Sequence, residues 1–195
     1  MSDQDVAGLR ARLVQAGIDL LTEEGVQVLS LREIARRAGV SHGAPRRHFP
    51  THLSLLSAIA RQGFADLADK VTAELDAHQA DPRAQLMALG RGYLDFALTH
   101  PGMFELMFRH DLLESSHLGL RETSLPLFQI LVDLVDRAQP PSDLPPPVIA
   151  GALWSNLHGI AQLWRWGSLQ LATGADDVEP LLRAALDAHL GPVGR

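Results

Sequence analysis

The chain contains no cysteine, which removes both a disulfide framework and a thiolate metal site from consideration. Lysine is nearly absent as well: Lys70 is the one lysine among 17 basic residues, a bias that matches a GC-rich genome and carries no functional weight. No apolar run approaches the roughly 20 residues needed to span a bilayer. Met1 to Asp5 is polar and acidic where a signal peptide would be basic and then apolar. The expectation is a soluble cytoplasmic protein. Enzyme signatures are missing too, with no Gly-rich phosphate loop, no nucleophile elbow and no Cys nucleophile. His48 and His52 have the i,i+4 spacing of a zincin pair, but Pro50 between them breaks the helix that such a pair needs. "RHDLLESSH" offers His110, Asp111, Glu114 and His117 without a third-ligand pattern. No catalytic role, cofactor or metal is expected.

What is present is an uneven distribution of charge. The 195 residues, 46% of them hydrophobic, suit one domain or a domain with a small module, and their formal net charge is −6. From Val26 to Gly63, however, Arg32, Arg36, Arg37, Arg46, Arg47 and Arg61 face a single acid, Glu33, a local net of +5. The rest of the chain therefore carries −11. A basic patch on an acidic body implies a local polyanionic partner, with the body kept off nucleic acid.

Periodicity reads as nearly all helix, about nine in number. Leu9, Leu13, Ala16, Ile18, Leu20 and Leu21 share much of one face of a first helix over residues 8–24, and Gly25 ends it. "SLRE" is a capping box in which Ser30 and Glu33 satisfy each other's amides, starting a short helix over 31–38. Gly39 makes a turn, and Ser41 offers a second N-cap for a helix over 42–49. Thr51 caps a long helix through residue 78, and Asp81-Pro82 begins another that Pro101-Gly102 breaks before "MFELMF". Residues 112–119 have no clear assignment. "SLPLFQILVDLVDRA" is helical, "QPPSDLPPP" is a loop, and "VIAGALWSNLHGIAQLWRWGSLQLA" and "VEPLLRAALDAHL" are apolar helices.

Three helices of these lengths, the last two joined at Gly39, have helix-turn-helix proportions. Ala35 and Val40 would bury between the two short helices, with Ile34 and Phe49 anchored on the first. The third helix then projects His42, Gly43, Arg46 and Arg47 outward. Arginine can hold guanine O6 and N7 in bidentate fashion, and Gly43 allows backbone to approach DNA closely. A charge run is often only a solvated face, and "ARRAG" alone fits that. The capping box, turn glycine, second cap and charge asymmetry together point to nucleic acid.

"SLREIARRAGVSHGAPRRHFPTHLSLLSAIA" resembles the N-terminal DNA-binding domain of the tetracycline-repressor (TetR) family of bacterial transcription regulators. Ser30, Ile34, Ala35, Ala38, Gly39, Val40, Ser41, Gly43, His48 and Phe49 occupy typical family positions. The resemblance implies an all-α protein: a helix-turn-helix head over residues 1–50, and a helical body over 51–195, entered through the helix from 51, that binds a small molecule and forms a homodimer through its last two long helices. It also implies DNA contacts from Ser30, Arg32, Ser41, His42, Gly43, Arg46, Arg47, His48, Thr51 and His52. Three positions depart from the family pattern. Arg46 stands where an aromatic, usually Tyr, is common; Pro45 replaces a frequent Leu or Ile; His52 stands where a Lys commonly opens the fourth helix.

"WSNLHG" resembles the Trp-His-Gly signature of one TetR subgroup. Trp154 and His158, four apart, share a helical face. Two readings stay open: a ligand cavity lined by Trp154, His158, Tyr93, Phe96, Phe104, Met107, Phe108 and Phe128, or ordinary core packing of the same residues. Polarity in such a cavity would come from His158, Tyr93, Arg109 or Asn156, and an apolar lining would suit a hydrophobic or aromatic effector. Ala150, Gly151, Ala152, Gly159 and Ala161 allow close helix approach, either within the chain or between two copies. An architectural DNA-binding protein without a ligand would not need a body of about 130 residues. A pure protein-interaction module would not need the +5 window. The implied activity is a ligand-responsive regulator, most often a repressor, released from a palindromic operator by its effector.

Overall fold

The computed structural model describes residues 3–76, 81–109 and 120–192. Among them are ten α-helices and one 3-10 turn, with no strand. No helix of the described residues is long and apolar enough to cross a membrane. Contacts divide the chain into two compact units, Met1–Asp66 with His100–Thr123, and Leu67–Thr99 with Ser124–Arg195.

The first unit is built on α1 (Asp3–Glu24), the 3-10 turn Val26–Val28, α2 (Leu31–Arg37), α3 (Pro45–His48), the first part of α4 (His52–Asp76) and α6 (Pro101–Met107). Leu13, Ala16, Leu20 and Leu21 form the buried face of α1, as their spacing requires. A Cβ at Gly17 would run into the Ile59 side chain, so α1 and α4 pack at backbone distance. Ser30 caps α2, its Oγ accepting from the Glu33 amide at 3.2 Å. The second half of the expected box is absent: the Glu33 carboxylate is taken by the Arg36 guanidinium instead. Ile34 and Ala35 are fully buried beneath the turn, and Gly39 adopts φ +67, a left-handed conformation that a side chain would strain. Val40 is only half-buried, its amide donating to the Ala35 carbonyl at 3.0 Å.

The third helix is shorter than expected. Residues 42–44 form a turn, and α3 starts at Pro45 with no side-chain cap from Ser41. Proline has no amide to donate, and its ring would clash with the Ser41 carbonyl in a helix begun at 42; at the first helical position neither matters. Thr51 caps α4 reciprocally with Ser54: the Ser54 amide donates to Thr51 Oγ1 (3.0 Å) and the Thr51 amide to Ser54 Oγ (3.2 Å). Pro101-Gly102, expected as a break, is the first turn of α6; the break itself falls at His100.

The second unit contains the rest of α4, α5 (Pro82–Thr99), most of α7 (Leu120–Ala138), α8 (Pro146–Arg165), α9 (Ser168–Thr173) and α10 (Glu179–Leu190). Its core is the mutual packing of α5, α8 and α10 through Leu86, Leu94, Leu153, Leu157, Leu182 and Leu186. Arg91 pairs with Glu179, and Arg83 with Asp187 and the Gly191 carbonyl (2.7 Å), tying α5 to α10. Lys70 meets Asp95 at 2.7 Å. Two boundaries differ from the sequence reading. The proline loop ends at Pro145, because Pro146 and Pro147 fit the first turn of α8. The expected single helix over 148–172 is two, since Gly167 at φ +74 turns the chain between α8 and α9.

Candidate nucleic-acid interface

The sequence placed five arginines in one short segment; the fold assigns them different jobs. Arg36 lies along α2 and pairs with Glu33, while Arg37 crosses to Glu23 near the end of α1. Hydrogen bonding to these guanidinium groups holds both carboxyls below the usual range for glutamate. Arg32, Arg46 and Arg47 are exposed and have no ion pair among the described residues. Three cations therefore remain available to an outside anion, where the window as a sequence suggested six. Arg61, the sixth, is half-buried on α4.

The other expected contact residues distribute around this trio. Ser41, His42 and Gly43 are exposed in the turn that precedes α3. His48 is half-buried at the end of α3, ahead of Phe49, which is 2% exposed. Ser30 and Thr51 are exposed but spend their hydroxyl oxygens on capping α2 and α4. His52 opens α4 and is exposed. A cleft of about 460 Å³ beside it is lined by Val26, Leu29, Thr51, His52, Leu53 and Leu56.

Two residues of this region carried no signal in the sequence. The Arg12 guanidinium donates to the Ala38 carbonyl at 2.7 Å, a cation at the C-terminal end of α2 that clamps the turn onto α1. Arg10 lies over the Phe49 ring at 5.2 Å, a cation–π contact from α1 to the end of α3. Both partners are more than 25 residues away in sequence, so no local pattern could reveal them.

The residues considered for an effector divide between the two units. In the second, the Trp154 indole N–H donates to Tyr93 Oη (3.1 Å), and Tyr93 Oη lies 2.9 Å from His158 Nδ1. The rings of Phe128 and His158 each meet Trp154 edge-on with centroids 6.2 Å apart. Burial pushes the Tyr93 phenol above its ordinary range and the His158 imidazole below its own, so both are neutral at pH 7. Phe96 is buried nearby on α5. In the first unit, Phe104 and Met107 are fully buried, and the half-buried Phe108 meets Phe104 at 4.9 Å and Phe64 at 5.7 Å. Arg109 pairs with Glu105 at 3.4 Å, and Asn156 bonds His189 at 2.6 Å. His110, Asp111, Glu114 and His117 lie outside the described residues.

Residues 13–59 match the family model for bacterial regulatory proteins of the tetR family, and residues 86–189 match the tetracyclin repressor-like C-terminal domain. The chain belongs to the tetracycline-repressor family. An HTH-type transcriptional regulator of Mycobacterium tuberculosis is 31% identical to this TetR-family chain over 101 residues, 51% of the chain and 43% of the relative. The chain thus spans less than half the length of the curated relatives it matches. Among solved structures, a protein of unknown function from Rhodococcus sp. RHA1 is 30% identical, covers 93% of each chain and has a TM-score of 0.80. The multidrug binding protein EbrR, complexed with imidazole, is 26% identical over 95% of this chain and 96% of its own, with a TM-score of 0.63. The C-terminal match carries the general family description; the Trp-His-Gly subgroup stays an expectation from Trp154, His158 and Gly159.

Proposed function

We propose that this TetR-family chain is a ligand-responsive, cytoplasmic transcriptional repressor without catalytic activity. It binds a palindromic operator as a homodimer and is released from it by a small, largely hydrophobic effector. Residues 1–50 act as the DNA-binding head and residues 51–195 as the effector and dimer body. The carrying observation is the trio Arg32, Arg46 and Arg47, exposed and with no ion pair among the described residues, on the helix-turn-helix of an otherwise acidic chain. Arg46 and Arg47, adjacent on α3, reach different targets, one a base edge and the other a phosphate. Ser30, Ser41, His42, Gly43, His48, Thr51 and His52 border the same groove and fix its register.

Two such heads enter successive major grooves about 34–36 Å apart when the dimer meets one face of the duplex. The dimer forms through α8 and α10. Tyr93, Phe96, Phe128, Trp154 and His158, all of the second unit, line the effector site; the neutral Tyr93–His158 pair would supply hydrogen bonds without charge. The related EbrR, a multidrug binding protein, is in keeping with an apolar ligand. Effector and DNA oppose each other by linkage, because each favours a different dimer conformation.

The test is a mobility shift with DNA from just upstream of the chain's own gene, across a salt series, followed by genome-wide selection of bound fragments. A sequence-selective shift that weakens with salt is expected. Failure to enrich any sequence in either format would refute the DNA-binding reading.

A further inference from the structure

α3 is a single turn, Pro45–His48, with no side-chain cap at its start. The Arg47 amide donates to the Ala44 carbonyl at 3.2 Å, and the Phe49 amide to the Pro45 carbonyl at 2.8 Å. So few bonds do not repay the cost of starting a helix, and α3 keeps its direction through what its flanks are fixed to. Pro45 is buried and Phe49 is 2% exposed, while Arg46 and Arg47 between them point to solvent. Where those two arginines point is therefore decided by the packing on either side of the turn.

Both sides are held from α1. Ahead of α3, the Arg12 guanidinium donates to the Ala38 carbonyl at 2.7 Å, immediately before the left-handed Gly39. The amides of Ala38, Gly39 and Val40 return to the carbonyls of Ile34, Arg36 and Ala35, which ties the turn to α2. Arg12 ties it to α1. Behind α3, the Arg10 guanidinium lies over the Phe49 ring at 5.2 Å. Two positions apart on a helix, the side chains of residues 10 and 12 leave α1 about 200° apart, so one helix reaches both flanks. Between the two ties lie Ser41, His42, Gly43, Arg46 and Arg47. Arg10 and Arg12 are exposed and take part in no ion pair among the described residues, so no carboxylate competes with the carbonyl or the ring for them.

We infer that Arg10 and Arg12 are positioning residues for sequence readout: they set the angle at which α3 presents Arg46 and Arg47, and through it the selectivity for operator over other DNA. The inference rests on the DNA-binding reading. A hydrogen bond to a base edge weakens steeply once its angle is lost, whereas attraction to phosphate tolerates a change of direction. Loosening either tie therefore costs selective binding and leaves the counterion-driven, sequence-independent part in place.

The test uses the full chain, with fluorescence anisotropy on two duplexes of equal length: the sequence recovered by genomic selection and its scrambled counterpart. Arg12→Ala gives up a charge-assisted hydrogen bond and should lower the ratio of operator to scrambled affinity at least about tenfold. Binding to the scrambled duplex and its salt slope should stay the same. Arg12→Lys keeps an N–H donor for Ala38 and should recover most of the ratio. Arg10→Ala gives up an exposed cation–π contact and should lower the ratio about two- to fivefold. In an Arg46→Ala background Arg12→Ala should cost less than in the unmodified chain, because the effect runs through α3. Should Arg12→Ala fail to fold, Arg12→Met keeps the aliphatic stem without the donor and takes its place. An unchanged ratio, or an equal cost in both backgrounds, would overturn the inference. So would equal loss on both duplexes with the salt slope flattened by about 2, the sign that these arginines meet phosphate themselves. An unmodified chain that selects no sequence removes the DNA-binding reading, and this inference with it.

Discussion

The division of the head arginines makes a quantitative prediction about salt. Arg36 and Arg37 are occupied by Glu33 and Glu23, which leaves Arg32, Arg46 and Arg47 per protomer for DNA. A dimer offers six such cations, and at about 0.9 counterions released per phosphate the slope of log K against log salt should lie between about −4, with one α3 arginine of each head on a base edge, and about −5, with all six on phosphate. Were Arg36 and Arg37 also given to DNA, ten cations would bring it near −9. Arg46→Ala removes two cations per dimer and should flatten the slope by about 2 where Arg46 meets phosphate. Glu23→Gln, which releases Arg37 from its partner, should instead steepen it by up to about 2. The assay is fluorescence anisotropy of a labelled operator duplex titrated at several KCl concentrations, with each variant's dimer state checked beforehand. A slope near −9 for the unmodified protein would refute the pairing of Arg36 and Arg37 in the bound state. A slope unchanged by Arg46→Ala, with affinity lost, would move Arg46 from phosphate to a base edge. Unchanged slope and unchanged affinity would remove it from the interface.

Gly102→Ala should destabilise the protein, because a Cβ there would lie 2.6 Å from the Leu21 backbone carbonyl oxygen, which cannot swing away. Overpacking of this kind costs about 1–3 kcal/mol, or about 2–12 °C in Tm for a chain of this size; Gly8→Ala, in open space on α1, should instead raise Tm slightly, and equal melting temperatures for the two variants would refute the steric account. His158 predicts a pH effect. Burial lowers its folded pKa below the ordinary 6.5, so on acidification the unfolded chain takes up the proton first. Its contribution is constant above about 6.5, falls as pH drops from there to the folded pKa, and is then constant again; denaturant melts across that window should flatten for His158→Gln relative to the unmodified protein, and parallel profiles would place the imidazole in water.

Local pattern carried much of the fold. The apolar spacing of α1, the Ser30 and Thr51 caps, the Gly39 turn and the proline loop are each written within a few residues, and each depends on backbone hydrogen bonding that a short window contains. The same holds for the resemblance to the tetracycline-repressor family, since the helix-turn-helix is a contiguous segment. Boundaries governed by proline and glycine shifted. Pro45 delayed α3, Pro146 advanced α8 and Gly167 split a helix that periodicity alone would join, because a fixed φ or a left-handed turn outweighs apolar spacing. What only the tertiary structure decided is partnership. Glu23 and Arg37, Arg12 and Ala38, Tyr93 and His158, and Asn156 and His189 lie 14 to 65 residues apart. Charge counted along the sequence made six arginines equivalent; packing spent two of them on nearby carboxylates and half-buried a third. The residue types of α8 were legible from the start, whereas the exposure of its outer face and the pairing of Asn156 with His189 were not, since both depend on the helices packed around it.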